Sequence, residues 1–292
     1  MQFDAGKAAR VLNFFRRLKH TKGHWRGVPF TLLPWQEQAL SDIFGTVREN
    51  GYRQYTTVYM EIGKKQGKSE IGAGVGLYCL TSDDEWAAEV YGCAADRQQA
   101  SIVFDVAVEM VDQNPTLRKH IKPVLSLKRL IYMPTKSFYQ VLSADAVSKH
   151  GFNVHAVIFD ELHAQPDRAL YDIMTQGSGD ARKQPLYFVI TTAGDDPDRH
   201  SIGWEVHKRA EEVLLGVKKD PTMYAVIYGL DRENRRIWTG REYETAPGDW
   251  ADAATWRSIW SDKKIWAKVN PSLGHTVTLD KVEDHDTQAQ GN

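Results

Sequence analysis

Three short stretches of the chain carry side chains of the kinds that handle phosphoryl groups. Residues 61–74, EIGKKQGKSEIGAG, place Gly67-Lys68-Ser69 directly after a strand-like run, TTVYM. A loop that cradles phosphates needs backbone N–H groups converging on one concavity, a helix N-terminus behind them and a lysine reaching forward. Here Gly67 lets the backbone turn without a Cβ clash, Lys68 is placed to contact the β- and γ-phosphates, and Ser69 is placed to ligate Mg²⁺. Gly63, Lys64, Lys65 and Gln66 complete the candidate nucleotide-binding loop. It departs from G-x-x-x-x-G-K-S in having Ile62 at the first glycine position, so Gly63, one residue later, is left to make the turn. The tripeptide alone also arises by coincidence, and its weight comes from lying between a strand and a helix.

The second stretch is HAVIFDELHA. Ala156–Phe159 read as an apolar strand that Asp160 ends, with Glu161 next along. A nucleotide hydrolase needs one carboxylate for the magnesium shell and another to orient the attacking water, which are the roles expected of Asp160 and Glu161. Two acids closing so apolar a strand require a compensating cation or metal. The plainer reading is a strand running into a solvated turn. The third stretch, PLYFVITTAGDD, ends a strand in Thr191 and Thr192, whose hydroxyls are suited to sensing a γ-phosphate; an ordinary strand exit is the alternative. His150, His155 and His163 lie near these acids, but no HExxH is present and a zinc site is not expected.

The elements needed to bring these stretches together follow from periodicity. TTVYMEI, EVYGCAA, HAVIFDE and PLYFVITT are short, apolar and β-branched or aromatic, as buried parallel strands are. Helical stretches alternate with them: KSEIGAGVGLYCL, DRQQASIVFDVAVEMVD, ALYDIMTQ and GWEVHKRAEEVLL. RLIYMP and SFYQVLS predict an added hairpin turning at Thr135 and Lys136, and MYAVIYGL a further strand. Ala8, Val11, Leu12, Phe15 and Leu18 share one face of an N-terminal helix. Such alternation predicts an α/β fold with a doubly wound, mostly parallel sheet and ligands beyond the C-terminal strand ends. The expected organisation is one ATPase domain over 1–232, with residues 1–30 as an N-terminal helix and arm. The tryptophan-rich, polar segment 233–292 is then a small helical linker or lid subdomain.

With 292 residues, 42% hydrophobic, the chain is long enough for one large domain and an appendage. Its 37 Lys+Arg against 38 Asp+Glu announce no global attraction to nucleic acid, so any such contact comes from a local patch. The basic-aromatic loop KHTKGHWR is one candidate, a solvated surface loop being the alternative. Cys79 and Cys93 lie in apolar runs and read as core residues. No run approaches the roughly 20 apolar residues of a membrane helix, and the N-terminus lacks a signal-peptide core. A soluble protein of a reducing compartment is expected.

Taken in order, these stretches resemble the large terminase subunit of tailed bacteriophages, the ATPase that drives DNA into the procapsid. LLPWQEQAL is similar to the family's adenine-side motif, with Trp35 and Gln36; GKKQGKS resembles its variant phosphate loop; AVIFDELHA resembles its magnesium and catalytic-glutamate motif; ITTAG resembles its coupling motif; and IWAKVNPSLG resembles the segment leading towards its nuclease domain. The resemblance implies a P-loop NTPase of the additional-strand, catalytic-glutamate type, using ATP and Mg²⁺, with Glu161, Lys68 and Lys64 catalytic. Lys64 stands where an arginine is usual, keeping the charge but losing the bidentate fork. The implied partners are double-stranded DNA held without sequence reading, a small terminase subunit and a portal protein. Assembly is implied as a homo-oligomeric ring on the procapsid, or a monomer in isolation, in the host cytoplasm and away from membranes. A neighbour in that ring would offer a positive charge in trans. Family placement puts it at Lys149-His150-Gly151, with Arg182, Arg97 and Arg168 as rivals. No clustered carboxylates of a nuclease follow the linker, so no DNA cleavage is expected of this chain. A DExH-type helicase, suggested by Asp160-Glu161-Leu162-His163, and a nucleotide-binding scaffold without hydrolysis remain as alternatives.

Overall fold

Caps and periodicity set the elements. A computed structural model of the chain describes residues 1–143, 151–176, 181–194, 196 and 199–283. The chain opens with β1 (Gln2–Phe3) and α1 (Ala5–Phe15), begun by Asp4, whose carboxylate accepts from the backbone N–H of Lys7. Then come α2 (Pro34–Gly45), with proline at its first turn, and β2 (Thr46–Val47), which pairs with β1. The central strands and helices follow as β3 (Thr57–Glu61), α3 (Lys68–Thr81), β4 (Glu89–Ala94), α4 (Arg97–Asp112) and α5 (Pro115–His120). Next are β5 (Ile121–Val124), β6 (Arg129–Tyr132), β7 (Ser137–Ser143), β8 (Val154–Asp160), α6 (Ala169–Gln176), β9 (Leu186–Thr191) and α7 (Ile202–Leu214). The chain then runs through β10 (Met223–Asp231), β11 (Arg236–Gly240), β12 (Tyr243–Thr245), α8 (Ala253–Trp260) and α9 (Lys263–Val269).

Among the described residues ten strands form one sheet in the order β12-β11-β10-β3-β9-β8-β4-β7-β6-β5. The six from β10 to β7 are parallel, and antiparallel hairpins extend both edges. The hairpin expected from RLIYMP and SFYQVLS is β6–β7. The order is that of the additional-strand P-loop fold: β9 lies between β3, which feeds the glycine-rich loop, and β8, which ends in Asp160. Register keeps the strand ends level, because Glu61 pairs with Thr191 and Asp160 with Ile190.

Helices cover both faces. On one, α1–α4 and the strand residues facing them share a core with Phe15, Leu40, Phe104 and Tyr139. α3 lies so close to α1 that a Cβ on Gly74 would sit 2.4 Å from the Phe15 ring. On the other face, α6 and α7 pack over Val157, Phe159 and Val189. The N-terminal arm belongs to the first core, since Leu18 and Phe30 are buried in it. The expected boundary after residue 232 falls in the turn between β10 and β11, and β11 still contributes Trp238 to the second core. Ile259 of α8 and Ile265 of α9 form a third cluster with Trp250 and with Ile237 of β11. No helix among the described residues is long and apolar enough to cross a membrane.

Candidate active site

The loop between β3 and α3 is shaped by two left-handed residues, Lys65 at φ +62° and Gly67 at φ +85°. Gly67 is the residue immediately before the helix, where a side chain would be strained. Lys68 opens the helix and is buried; its ammonium donates to the carbonyls of Ile62 and Gly63, each at 3.0 Å. Burial pulls the Lys68 ammonium below its usual range, against the opposing pull of Glu161 and Asp160. Ser69 sits in the first helical turn, half-buried, while Lys64 and Lys65 are exposed. Backbone N–H groups of this turn and the helix dipole favour an anion in front of it.

Across the sheet edge, Asp160 and Glu161 leave β8. Glu161 adopts φ +51°, sparsely populated by residues other than glycine. That turn aims its carboxylate into the site. Oε1 lies 3.9 Å from the Lys68 ammonium. Oε2 accepts from the backbone N–H and the hydroxyl of Thr192, both at 2.9 Å, and the Thr191 hydroxyl is 3.3 Å away. His163 stands behind this group, its Nδ1 2.9 Å from the Thr191 hydroxyl and 3.4 Å from Glu161 Oε2. Asp160 is pushed up to about 7 by burial and by the Glu161 charge, with Lys68 pulling the other way. A carboxylate held in that environment is stabilised in its charged form by a hard cation.

The adenine-side candidates lie at the other end of the loop. Gln36 is buried; its Oε1 accepts from the backbone N–H of Leu33 at 2.9 Å, and a Cβ on Gly67 would lie 3.5 Å from its Nε2. Trp35 is half-buried, its ring edge-on to Tyr228 at 5.9 Å, and its indole N–H donates to Ser272 Oγ at 3.1 Å. The structure therefore brings together Gly63–Ser69, Asp160, Glu161, Thr191 and Thr192, with Trp35 and Gln36 beside the loop.

Other candidates lie elsewhere. Arg182 offers no free charge: it is buried, and its guanidinium donates to the carbonyls of Asn153, Trp86 and Ala87 and to Glu85. Those bonds remove it as a residue able to reach into a neighbour. Arg168 is exposed and pairs with Asp172 and Glu205. Lys149, His150 and the side chain of Arg97 lie outside the described residues. The side chain of Gln66, within the candidate loop, is wholly buried against Asn270 and Ser272, which leaves its backbone as the part able to face a nucleotide.

Two groups beside the site gave little signal in the sequence. Glu61, buried at the end of β3, accepts from the Tyr59 hydroxyl at 2.5 Å, and its carboxylate lies 2.8 Å from His207 Nδ1. Burial works against charging His207, and Glu61 overrides it, raising the imidazole above its ordinary range. An acid closing an apolar strand one residue before a glycine-rich loop was the available clue. The contact of His163 with Thr191 had none, since 28 residues separate them.

A family model described as "Terminase large subunit, ATPase domain" matches residues 34–212. The chain belongs to the large terminase subunit family. It is 32% identical over 273 residues to the large terminase subunit of Enterobacteria phage HK97, covering 92% of this chain and 47% of that one. The crystal structure of the HK97 large terminase superposes with a TM-score of 0.75 at 25% identity, covering 98% of this chain and 52% of its own. Protein YmfN of Escherichia coli K12 is 27% identical over 142 residues, or 49% of this chain and 25% of the relative. The chain thus spans about half the length of the HK97 terminase it matches. The matched region runs from α2 through β9 and into α7, and so includes Gly63–Ser69, Asp160, Glu161, Thr191 and Thr192.

Proposed function

We propose that this chain hydrolyses ATP and, by doing so, moves double-stranded DNA as the motor domain of a viral packaging machine. The observation that carries the proposal is the meeting of Lys68 and Glu161, 3.9 Å apart, with Asp160 beside them at one end of the sheet. Lys68 neutralises charge developing on the transferred phosphoryl group, and the helix start behind it holds the phosphates. Glu161, fixed by Thr192 and by its own backbone turn, orients water for in-line attack. The hydroxyl of Ser69 and the carboxylate of Asp160 are hard oxygen donors of the type Mg²⁺ takes, and that ion would supply charge neutralisation at the phosphates. Because the carboxylate that faces the nucleotide is bonded to Thr191 and Thr192, a shift of Glu161 is transmitted to the exit of β9 and to the chain beyond it. In a ring, with a cation supplied by a neighbour, that displacement pulls duplex DNA by its phosphates. A small terminase subunit and a portal protein are the partners this reading requires, and the host cytoplasm its setting.

Glu161→Gln tests the reading. Steady-state ATPase is expected to fall about a hundredfold or more while nucleotide binding persists; equal rates in the two proteins would remove Glu161 from the mechanism.

A further inference from the structure

The side chain of Gln66 turns away from the phosphate concavity and is completely buried. Its Nε2 donates to Asn270 Oδ1 at 2.9 Å, and its Oε1 accepts from the backbone N–H of Ser272 at 2.9 Å. Asn270 is in turn fixed to the last turn of α9, its Nδ2 donating to the Trp266 carbonyl at 3.1 Å. The same carboxamide abuts the start of the loop, 3.4 Å from where a Cβ on Gly63 would stand. Ser272, also wholly buried, accepts from the Trp35 indole. One short stretch, Asn270-Pro271-Ser272, thus grips both ends of the phosphate loop and the adenine-side helix.

We infer that Asn270 and Ser272 are positioning residues for the phosphate loop, acting through Gln66, so that nucleotide affinity is set in part by a segment 204 residues further along the chain. The inference rests on the nucleotide-binding role proposed above. Two left-handed residues within five positions give the loop little shape of its own. Its conformation has to be supplied by what it packs against, and the buried Gln66 amide is where that support enters. Both polar ends of that amide are satisfied, and removing one partner strands the other without water. Coupling of this kind is reciprocal: a segment that favours the binding-competent loop is itself steadied when nucleotide binds.

The test titrates the fluorescent N-methylanthraniloyl derivative of ADP, with Mg²⁺, into the full chain. Asn270→Ala is expected to weaken binding about tenfold, the effect of one lost buried hydrogen bond, with kcat moving much less than KM. Asn270→Asp, which keeps the acceptor for Gln66 but loses the donor to the Trp266 carbonyl, is expected to fall between wild type and Asn270→Ala. If Asn270 acts through Gln66, the Gln66→Ala/Asn270→Ala double variant binds no more weakly than Gln66→Ala alone. Wild-type affinity in Asn270→Ala, or additive losses in the double variant, would overturn the inference. Should the variants fail to fold, hydrogen exchange on the wild-type chain decides it. The Ser272 amide is expected to gain protection when ADP is added, and unchanged protection with ADP bound refutes the coupling. A wild-type chain that binds no nucleotide at all refutes the earlier reading of the loop itself.

Discussion

At the N-terminal ends of the central strands, Arg53 and Asp83 are 2% and 7% exposed, and at the C-terminal ends Lys68 is 8% exposed beside a half-buried Asp160. Both ends are shielded from water, Asp160 less than Asp83, and their partners differ. Asp83 accepts twice from Arg53 Nη1, at 3.0 Å each, and lies 2.9 Å from His155 Nε2, while Gln184 donates to its carbonyl. Burial alone would raise the Asp83 carboxyl, but the Arg53 guanidinium overrides it and holds the group below the usual carboxylate range. Asp160, facing Glu161 rather than an arginine, goes the other way, up to about 7. One end is a closed structural knot and the other is left with charge to be met by a ligand. Cys79, Asp83 and His155 approach within 4.8 Å in the manner of metal ligands, but Arg53 already occupies the cation's place there. The contrast shows how a single sheet stores stability at one end and reactivity at the other.

The sharpest way to break this comparison is to neutralise both acids. Asp83→Asn leaves Arg53 buried against an uncharged neighbour and is expected to cost about 3–5 kcal/mol in denaturant unfolding. Asp160→Asn is expected to leave stability unchanged or raise it while abolishing ATPase activity. Equal destabilisation by the two would erase the distinction between the ends.

The pH dependence sharpens it further, because the two acids have opposite signs. Asp160 binds its proton more tightly folded than unfolded, so its contribution to stability falls as pH rises from about 4 towards about 7. Asp83 is depressed in the fold, so its contribution is present above the unfolded carboxylate range and is lost as pH falls through the folded value. Unfolding free energies taken from pH 4 to pH 7 should therefore show Asp160→Asn gaining on wild type, by about 3 kcal/mol at the upper end. Asp83→Asn should lag wild type throughout that window.

The end that carries the candidate site is the more legible of the two in the sequence. Gly67-Lys68-Ser69 and Asp160-Glu161 each sit where an apolar strand stops, and hydrophobic patterning alone announces those stops. The alternation of strands and helices likewise reached the parallel sheet, including the β6–β7 hairpin. What escaped depends on pairs distant in the chain. The place of Gln66 in the loop gives no sign that its side-chain amide is spent on Asn270 and Ser272. The free charge expected of Arg182 was lost to three backbone carbonyls, and carbonyls leave no trace in side-chain pattern. The tryptophan-rich segment from residue 233 is shared between two cores: Trp238 on β11 is buried with the second, and Trp250 belongs to a cluster of its own. Polarity marks where a chain is exposed; it does not mark where a sheet ends.

A smaller effect probes how firmly the reactive end is held. Thr192→Val removes one of the two 2.9 Å donors to Glu161 Oε2 and keeps the backbone N–H. It is expected to lower kcat about tenfold with little change in nucleotide affinity or in melting temperature. A loss of stability as large as that of Asp83→Asn would mean that Thr192 is part of a structural knot after all.

The smallest stability effect should come from Arg168, which belongs to neither end. Its ion pairs with Asp172 and Glu205 lie in solvent, where the Coulomb gain is screened and offset by the ordering of long side chains. Arg168→Ala should therefore leave the melting temperature where it was. That neutrality makes it a clean reporter of a role in trans. If Arg168 reaches a neighbour's phosphates, the variant's ATPase rate per chain will fail to rise with protein concentration as the wild type's does, with no change in folding to confuse the result. If the two rates rise together, Arg168 is a solvated surface residue, and the trans cation proposed above is to be sought among the basic residues preceding β8.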